Sequence, residues 1–164
     1  MTKRIIIRGN SASGKSSLAR ALQNALGENC LLLSQDKLRR EMLLAHDGFD
    51  TPTISLILNL LDYGQQHCDY IILEGILKAD WYQPVWEGIA ERFQGKIYAY
   101  YYDLPFEETV KRHASRQKAL QFGEESLKRW WQQQDYLKLI PEKRLTAKLS
   151  LEEVEHLILE DIHH

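Results

Sequence analysis

Cysteine is nearly absent. The 164-residue chain holds two, Cys30 and Cys68, too few for the disulfide framework of a small secreted domain. Each directly precedes an apolar run, and both are expected as free, reduced thiols near strand starts in a cytoplasmic protein. Proline numbers four, and no stretch is rich in proline, glycine or serine, so no linker divides the chain. Repeats and low-complexity tracts are missing too. No apolar run approaches the roughly 20 residues that span a bilayer, and no membrane partner is expected. The opening Met1-Thr2-Lys3-Arg4 lacks the apolar stretch of a signal peptide. An excess of one charge is also lacking: 21 basic and 23 acidic residues give a net charge of -2. There is no basic field for a polynucleotide, so nucleic acid is not an expected partner. The six histidines show no metal-ligand spacing.

What remains is an ordinary globular composition, 44% hydrophobic and 27% charged. It fits a single domain over residues 1–164, long enough to bury a core. Strand-like and helix-like segments alternate, which predicts an α/β fold with a mostly parallel sheet. The apolar runs are Ile5-Ile6-Ile7, Leu31-Leu32-Leu33, Tyr70-Ile71-Ile72-Leu73 and Ile97-Tyr98-Ala99-Tyr100-Tyr101-Tyr102, with a weak fifth strand at Arg144-Leu145-Thr146. The stretch 124–138, carrying Leu127, Trp130, Trp131 and Leu137, reads as a helix stopped by Pro141. Ser150-Leu151-Glu152-Glu153 reads as a capping box for a last helix.

The chain's strongest signal follows its first strand. Residues 9–16 read Gly9-Asn10-Ser11-Ala12-Ser13-Gly14-Lys15-Ser16, a G-x-x-x-x-G-K-S loop, and Ser17 follows. Leu18, Ala21, Leu22, Ala25 and Leu26 then recur at helical spacing, so the loop sits between strand and helix, as a phosphate-binding loop requires. Gly9 and Gly14 let the backbone curl so that successive N–H groups point at phosphate oxygens. The helix adds its unpaired N–H groups and positive dipole end. Lys15 can reach the β- and γ-phosphates of ATP, and Ser16 can offer its hydroxyl to Mg²⁺.

In open sheets of this kind ligands sit beyond the carboxyl ends of the strands. Asp36 follows the second run. It is either an N-cap, a place aspartate favours, or a carboxylate facing the phosphate loop that accepts a proton from an acceptor hydroxyl. Arg39, one turn on, shares its face; it either pins a polar acceptor or belongs to a solvated Lys37-Arg39-Arg40 patch. Residues 37–69 are too long for a simple crossover and predict two helices, with Ile54, Ile57, Leu58 and Leu61 as one apolar stripe. They form either a cap over the acceptor or ordinary packing. Glu74 ends the third run, as a second acid for water-mediated Mg²⁺ contact or for positioning the acceptor, or as a helix-start residue. Asp36 or Glu74 would thus support the metal through water. Lys78, Trp81 and Tyr82 follow, lining an acceptor pocket or packing as rings. After the fourth run, Arg112 and Arg116 lie four apart ahead of a turn at Phe122-Gly123. That pattern suits a lid over residues 112–125 that closes on the nucleotide, or a surface pair of Glu108 with Arg112.

On these residues the chain resembles the small P-loop kinases of the nucleoside-monophosphate-kinase-like group. The branch is that of chloramphenicol phosphotransferase, the zeta toxins and the kinase domain of phage-type polynucleotide kinase. The segment Leu104-Pro105-Phe106-Glu107-Glu108-Thr109 through Arg112-His113, with Phe122-Gly123-Glu124-Glu125 and Trp130, is similar to bacterial predicted kinases labelled uridine kinase. The resemblance implies a three-layer fold with five parallel strands in order 2-3-1-4-5. It implies Asp36 as general base, Arg39 as acceptor contact and Arg112 and Arg116 as lid arginines. The expected activity is ATP- and Mg²⁺-dependent phosphoryl transfer to a hydroxyl of a small molecule of the nucleoside, antibiotic or nucleotide-sugar class. A second reading is a nucleotide-binding regulatory module without an acceptor. The acid after strand two and the long 37–69 segment favour the first.

Overall fold

A computed structural model describes residues 1–92, 96–115 and 123–164. Five strands, β1 (Lys3–Gly9), β2 (Cys30–Ser34), β3 (Tyr70–Gly75), β4 (Ile97–Tyr102) and β5 (Lys143–Leu145), form one sheet in the order β2-β3-β1-β4-β5. Every pairing is parallel, with Ile7 opposite both Glu74 and Tyr100. The near-continuous apolar runs are what a sheet covered on both faces demands. Period two sends Ile5 and Ile7 to one face and Ile6 to the other. On the first face lie α1 (Lys15–Leu26) and α7 (Leu151–His163), through Leu18, Leu22, Val154, Ile158 and Ile162. On the second lie α3 (Thr53–His67) and α4 (Gln83–Arg92), through Ile57, Leu61, Val85, Trp86 and Ile89. Burying each such aliphatic side chain contributes about 1.5–3 kcal/mol, against helix propensities that differ by only ~0.7 kcal/mol among ordinary residues. Packing therefore decides where these helices lie. The expected architecture is present, including the weak fifth strand.

The 37–69 segment resolves into different pieces. A single turn, α2 (Gln35–Lys37), runs into a π-helical stretch, Leu38–Leu43, closed by Leu44 in the left-handed conformation. Irregular chain then leads to α3. The stripe of α3 packs into the core beside β3 and α4, as does Leu38, so the part of this segment outside the core is 39–52. The N-cap of α2 is Ser34, not Asp36, which lies in the first turn. Ser150 and Glu153 form the expected capping box of α7. Cys30 opens β2 and Cys68 ends α3, both as free thiols.

One expectation fails. The helix read over 124–138 ends early, as α6 (Glu124–Trp130), and 131–142 is irregular chain. The reason is a buried charge. Arg8, fully buried in β1, is flanked by the rings of Trp86 and Tyr101 at 5.5 and 5.4 Å. Its guanidinium donates to Asp135 Oδ2 (2.8 Å), Asp135 O (2.8 Å), Glu142 Oε1 (2.9 Å) and Leu77 O (3.1 Å). Continuing the helix would pull Asp135 away from a buried charge, and an uncompensated buried charge costs about 3–5 kcal/mol. It would also take the Gln132 backbone from Asn10. The irregular chain keeps both sets of bonds.

Arg8→Met should accordingly lower the unfolding free energy by about 3 kcal/mol or more, measured by urea denaturation. Replacing Asp135 and Glu142 with their amides in the same chain should recover part of that loss. Wild-type stability in the single variant would disprove the role given to Arg8.

Candidate active site

The loop between β1 and α1 is shaped by backbone that few side chains tolerate. Gly9 has φ 151°, and a Cβ there would fall 2.8 Å from Tyr102 Cβ. Ala12 is left-handed at φ 63°. Gly14, also left-handed at φ 106°, caps α1 with no side-chain hydrogen bond, and no acid stands in the first turn. The helix start is thus an uncapped positive end with a lysine as its first residue. Those features fit an anionic ligand. Lys15 is folded back on the loop: its Nζ donates to Asn10 O at 2.7 Å and Ser13 Oγ at 3.3 Å. Ser11 is half-buried, Ser13 buried, and Ser16 and Ser17 exposed. Asn10 pairs with the backbone of Gln132, donating to its O and accepting from its N, both at 2.7 Å. Segment 131–142 therefore braces the loop.

Two further elements reach this loop. Ser16 Oγ donates to Glu74 Oε1 at 3.2 Å, and Glu74 is buried at the end of β3. A hydroxyl and a carboxylate placed together are hard oxygen donors of the kind Mg²⁺ prefers, so these residues fit the metal. From α5 (Phe106–Ala114), Arg112 Nη1 donates to Ser13 O at 2.6 Å and Nε to Glu108 Oε1 at 3.1 Å. Its guanidinium lies 6.0 Å from the ring of Tyr102. Arg112 thus pairs with Glu108 and also touches the loop. Burial pushes the Tyr102 phenol up to about 12, while Arg112 beside it pulls the other way, so the hydroxyl stays protonated at neutral pH. Arg116 and Phe122 lie outside the described residues, as does the middle of the 112–125 stretch.

The other expected residues group separately. Asp36 is half exposed and accepts from Arg40 Nε at 2.7 Å and Arg39 Nη2 at 3.5 Å. Arg39 Nη1 donates to Ala45 O at 3.2 Å. Lys78 Nζ sits 4.6 Å from the centre of the Trp81 ring and 3.7 Å from Asp80 Oδ1. Tyr82 has its ring in the core, but its hydroxyl is not idle: it donates to Asp47 Oδ1 at 2.7 Å and accepts from Gln35 Nε2 at 2.8 Å. The structure thus joins Ser16, Glu74, Lys15 and Arg112 at the loop. Asp36, Arg39, Asp47 and Tyr82 form a second cluster along the ends of β2 and β3. Asp47 and Gln132 carried no signal in the sequence, since neither stands in a motif or at a strand end.

A family model described as an AAA domain matches residues 5–139. The chain belongs to that family. It spans β1 through the bracing segment and so takes in the loop and both clusters. No curated protein matches the chain. Among solved structures it is similar to the Mycobacterium tuberculosis APS kinase CysC in complex with AMPPNP and APS, at 20% identity and TM-score 0.69 over 99% of this chain and 98% of that one. It is also similar to the Deinococcus radiodurans tunicamycin resistance protein, at 16% and 0.67 over 99% and 96%. A gluconokinase from Sinorhizobium meliloti 1021 aligns at 17% and 0.65 over 98% and 91%. These likenesses show the P-loop kinase fold.

Gly9→Ala would force a Cβ into Tyr102 and strain the left-handed backbone by about 1–3 kcal/mol. Affinity for a fluorescent ADP analogue should fall about ten- to a hundredfold. Titration by fluorescence anisotropy measures it, and unchanged affinity would contradict this account of the loop.

Proposed function

We propose that the protein is a cytoplasmic P-loop kinase that moves the γ-phosphoryl group of ATP to a hydroxyl of a small-molecule acceptor. The observation that carries this reading is the polar cluster of Asp36, Arg39, Asp47 and Tyr82 beside a loop where Ser16 meets Glu74 and that Arg112 also reaches. A module that only bound Mg-nucleotide would need the loop, Ser16 and the acid at the strand end. It would not need the cluster. Three solved structures of like fold are an APS kinase, a gluconokinase and a tunicamycin resistance protein, and these names point to small molecules. The mild net charge and the missing basic field argue against a polynucleotide acceptor.

The roles follow from chemistry. Lys15 exchanges its contacts with Asn10 and Ser13 for β- and γ-phosphate oxygens, which are better partners for an ammonium. Ser16 and Glu74 would hold Mg²⁺, whose part is to neutralise charge on the phosphates. Arg112, and Arg116 with it, stabilise charge on the transferred group. Asp36 orients the acceptor hydroxyl and takes its proton as the new oxygen–phosphorus bond forms and the bond to ADP breaks. Arg39 and Lys78 bind the acceptor. The protein contributes position and charge rather than a covalent intermediate.

The decisive experiment measures ADP release from Mg-ATP with a panel of nucleosides, amphenicol- and aminoglycoside-type antibiotics, UDP-sugars, sugar acids and 5′-hydroxyl oligonucleotides. One acceptor class should stimulate release. Asp36→Asn should cut the stimulated rate by about 10²–10⁴ and leave nucleotide affinity within twofold. Equal turnover in the variant would remove Asp36 from the role of base. Tight nucleotide binding with no stimulation by any acceptor would favour the regulatory module.

A further inference from the structure

The acceptor cluster contains a device that the roles above leave unexplained. Loop 44–52 carries exposed Leu44 and Phe49, and its far end is braced within the loop by buried Thr51, whose hydroxyl donates to His46 O at 2.7 Å. Its middle is joined to the core by one polar tie. Tyr82 is fully buried, and its hydroxyl alone meets polar groups, accepting from Gln35 on one side and donating to Asp47 on the other. Asp47 Oδ1 also accepts from Gly48 N at 3.0 Å. A second, weaker tie lies beside the first, where the Phe49 ring meets the edge of Trp81 at 6.3 Å. Both ties run from the loop to adjacent residues after β3.

The other oxygen of Asp47 faces Arg39, with Oδ2 3.8 Å from Nε. That Nε is buried and has no hydrogen-bond partner. The remaining Arg39 contacts are long, 3.2 Å to Ala45 O and 3.5 Å to Asp36 Oδ1. Arg8, a structural arginine in the same molecule, makes four bonds of 2.8–3.1 Å. Charge-assisted bonds settle near 2.7–2.9 Å when both groups are free to do so. Arg39 is therefore held in place by opposing charges, with its donors not fully used. An arginine in that state is ready to take a polar or anionic group of a ligand without first breaking a strong pair.

We propose that Tyr82 and Asp47 are positioning residues for the acceptor: the Tyr82–Asp47 bond latches loop 44–52 to the turn before α4, and the Asp47 carboxylate sets the Arg39 guanidinium at the acceptor side of the site. This rests on the phosphotransferase reading. Burial and the Asp47 carboxylate push the Tyr82 phenol far above its usual range, so the latch stays closed at any working pH. The acceptor it serves presents a polar or anionic group to Arg39, and the energy of ordering the loop is met by the fold rather than by the ligand.

The test uses Tyr82→Phe, which removes one oxygen and keeps the ring, and Asp47→Asn, which removes the charge. In wild type and both variants, hydrogen exchange of amides 44–52 is followed alongside that of the nucleotide loop. Tyr82→Phe should speed exchange of 44–52 about tenfold and leave the nucleotide loop unchanged. With the acceptor that stimulates ADP release, both variants should raise KM for the acceptor about tenfold. Their kcat should stay within threefold and affinity for a fluorescent ADP analogue within twofold. Asp47→Glu, which keeps the charge, should restore part of the KM lost in Asp47→Asn. Unchanged exchange in Tyr82→Phe, or acceptor and nucleotide affinities falling together, would overturn the proposal. Should no acceptor stimulate the wild type, the phosphotransferase reading fails, and the exchange result still decides whether the latch exists.

Discussion

A single buried guanidinium holds together the parts that surround the nucleotide loop. Arg8 stands immediately before that loop, fully out of water, between two aromatic rings. Its demand for partners is met by Asp135, Glu142 and the carbonyl of Leu77. Each partner has a consequence. Leu77 is held in a left-handed conformation at the turn after β3. Asp135 also accepts from Ala79 N at 2.9 Å, so the turn and the bracing segment share one carboxylate. Glu142 accepts from Leu137 N and closes the segment on itself. Gln132, carried on the same segment, then grips Asn10 inside the loop. The conformation of the nucleotide loop thus rests on a charge that the fold must keep paired.

The two halves of the site are built on different physics. The nucleotide half is backbone: left-handed turns, a helix start without a cap, and a lysine that contacts its own loop. Such a half recognises phosphate and little else. The half proposed to take the acceptor is built of side chains from α2, a π-helical stretch, loop 44–52 and the residues after β3. Irregular segments change readily without disturbing a packed sheet. The Tyr82–Asp47 bond gives that half a fixed point on the core.

Some of this was legible before any coordinates. Strands β1 to β4 were visible as apolar runs, because a sheet buried on both faces tolerates little else. Glu74 was visible as an acid ending such a run. Asp36 was visible for the same reason, yet it faces Arg39 and Arg40 on its own turn. The helix over 124–138 was misread because its apolar spacing is helical and local. The force that breaks it, a carboxylate claimed by Arg8, comes from the far end of the chain. Tyr82 read as a packing ring, which it is, and its hydroxyl chemistry depended on a loop residue with no pattern of its own.

The sequence by itself determined what is contiguous along the chain: the phosphate loop, the strands, the first and last helices and the capping box at Ser150. These depend on side-chain period and on residues a few places apart, and both are written in order. Tertiary structure alone decided the pairs. Ser16 meets Glu74 across 58 positions, Tyr82 meets Asp47 across 35, and Arg8 meets Asp135 across 127. With 23 acidic residues in the chain, charge alone does not choose a partner for any one donor. The choice falls to which strand ends and loops the packed sheet brings side by side, and that is a property of the whole molecule.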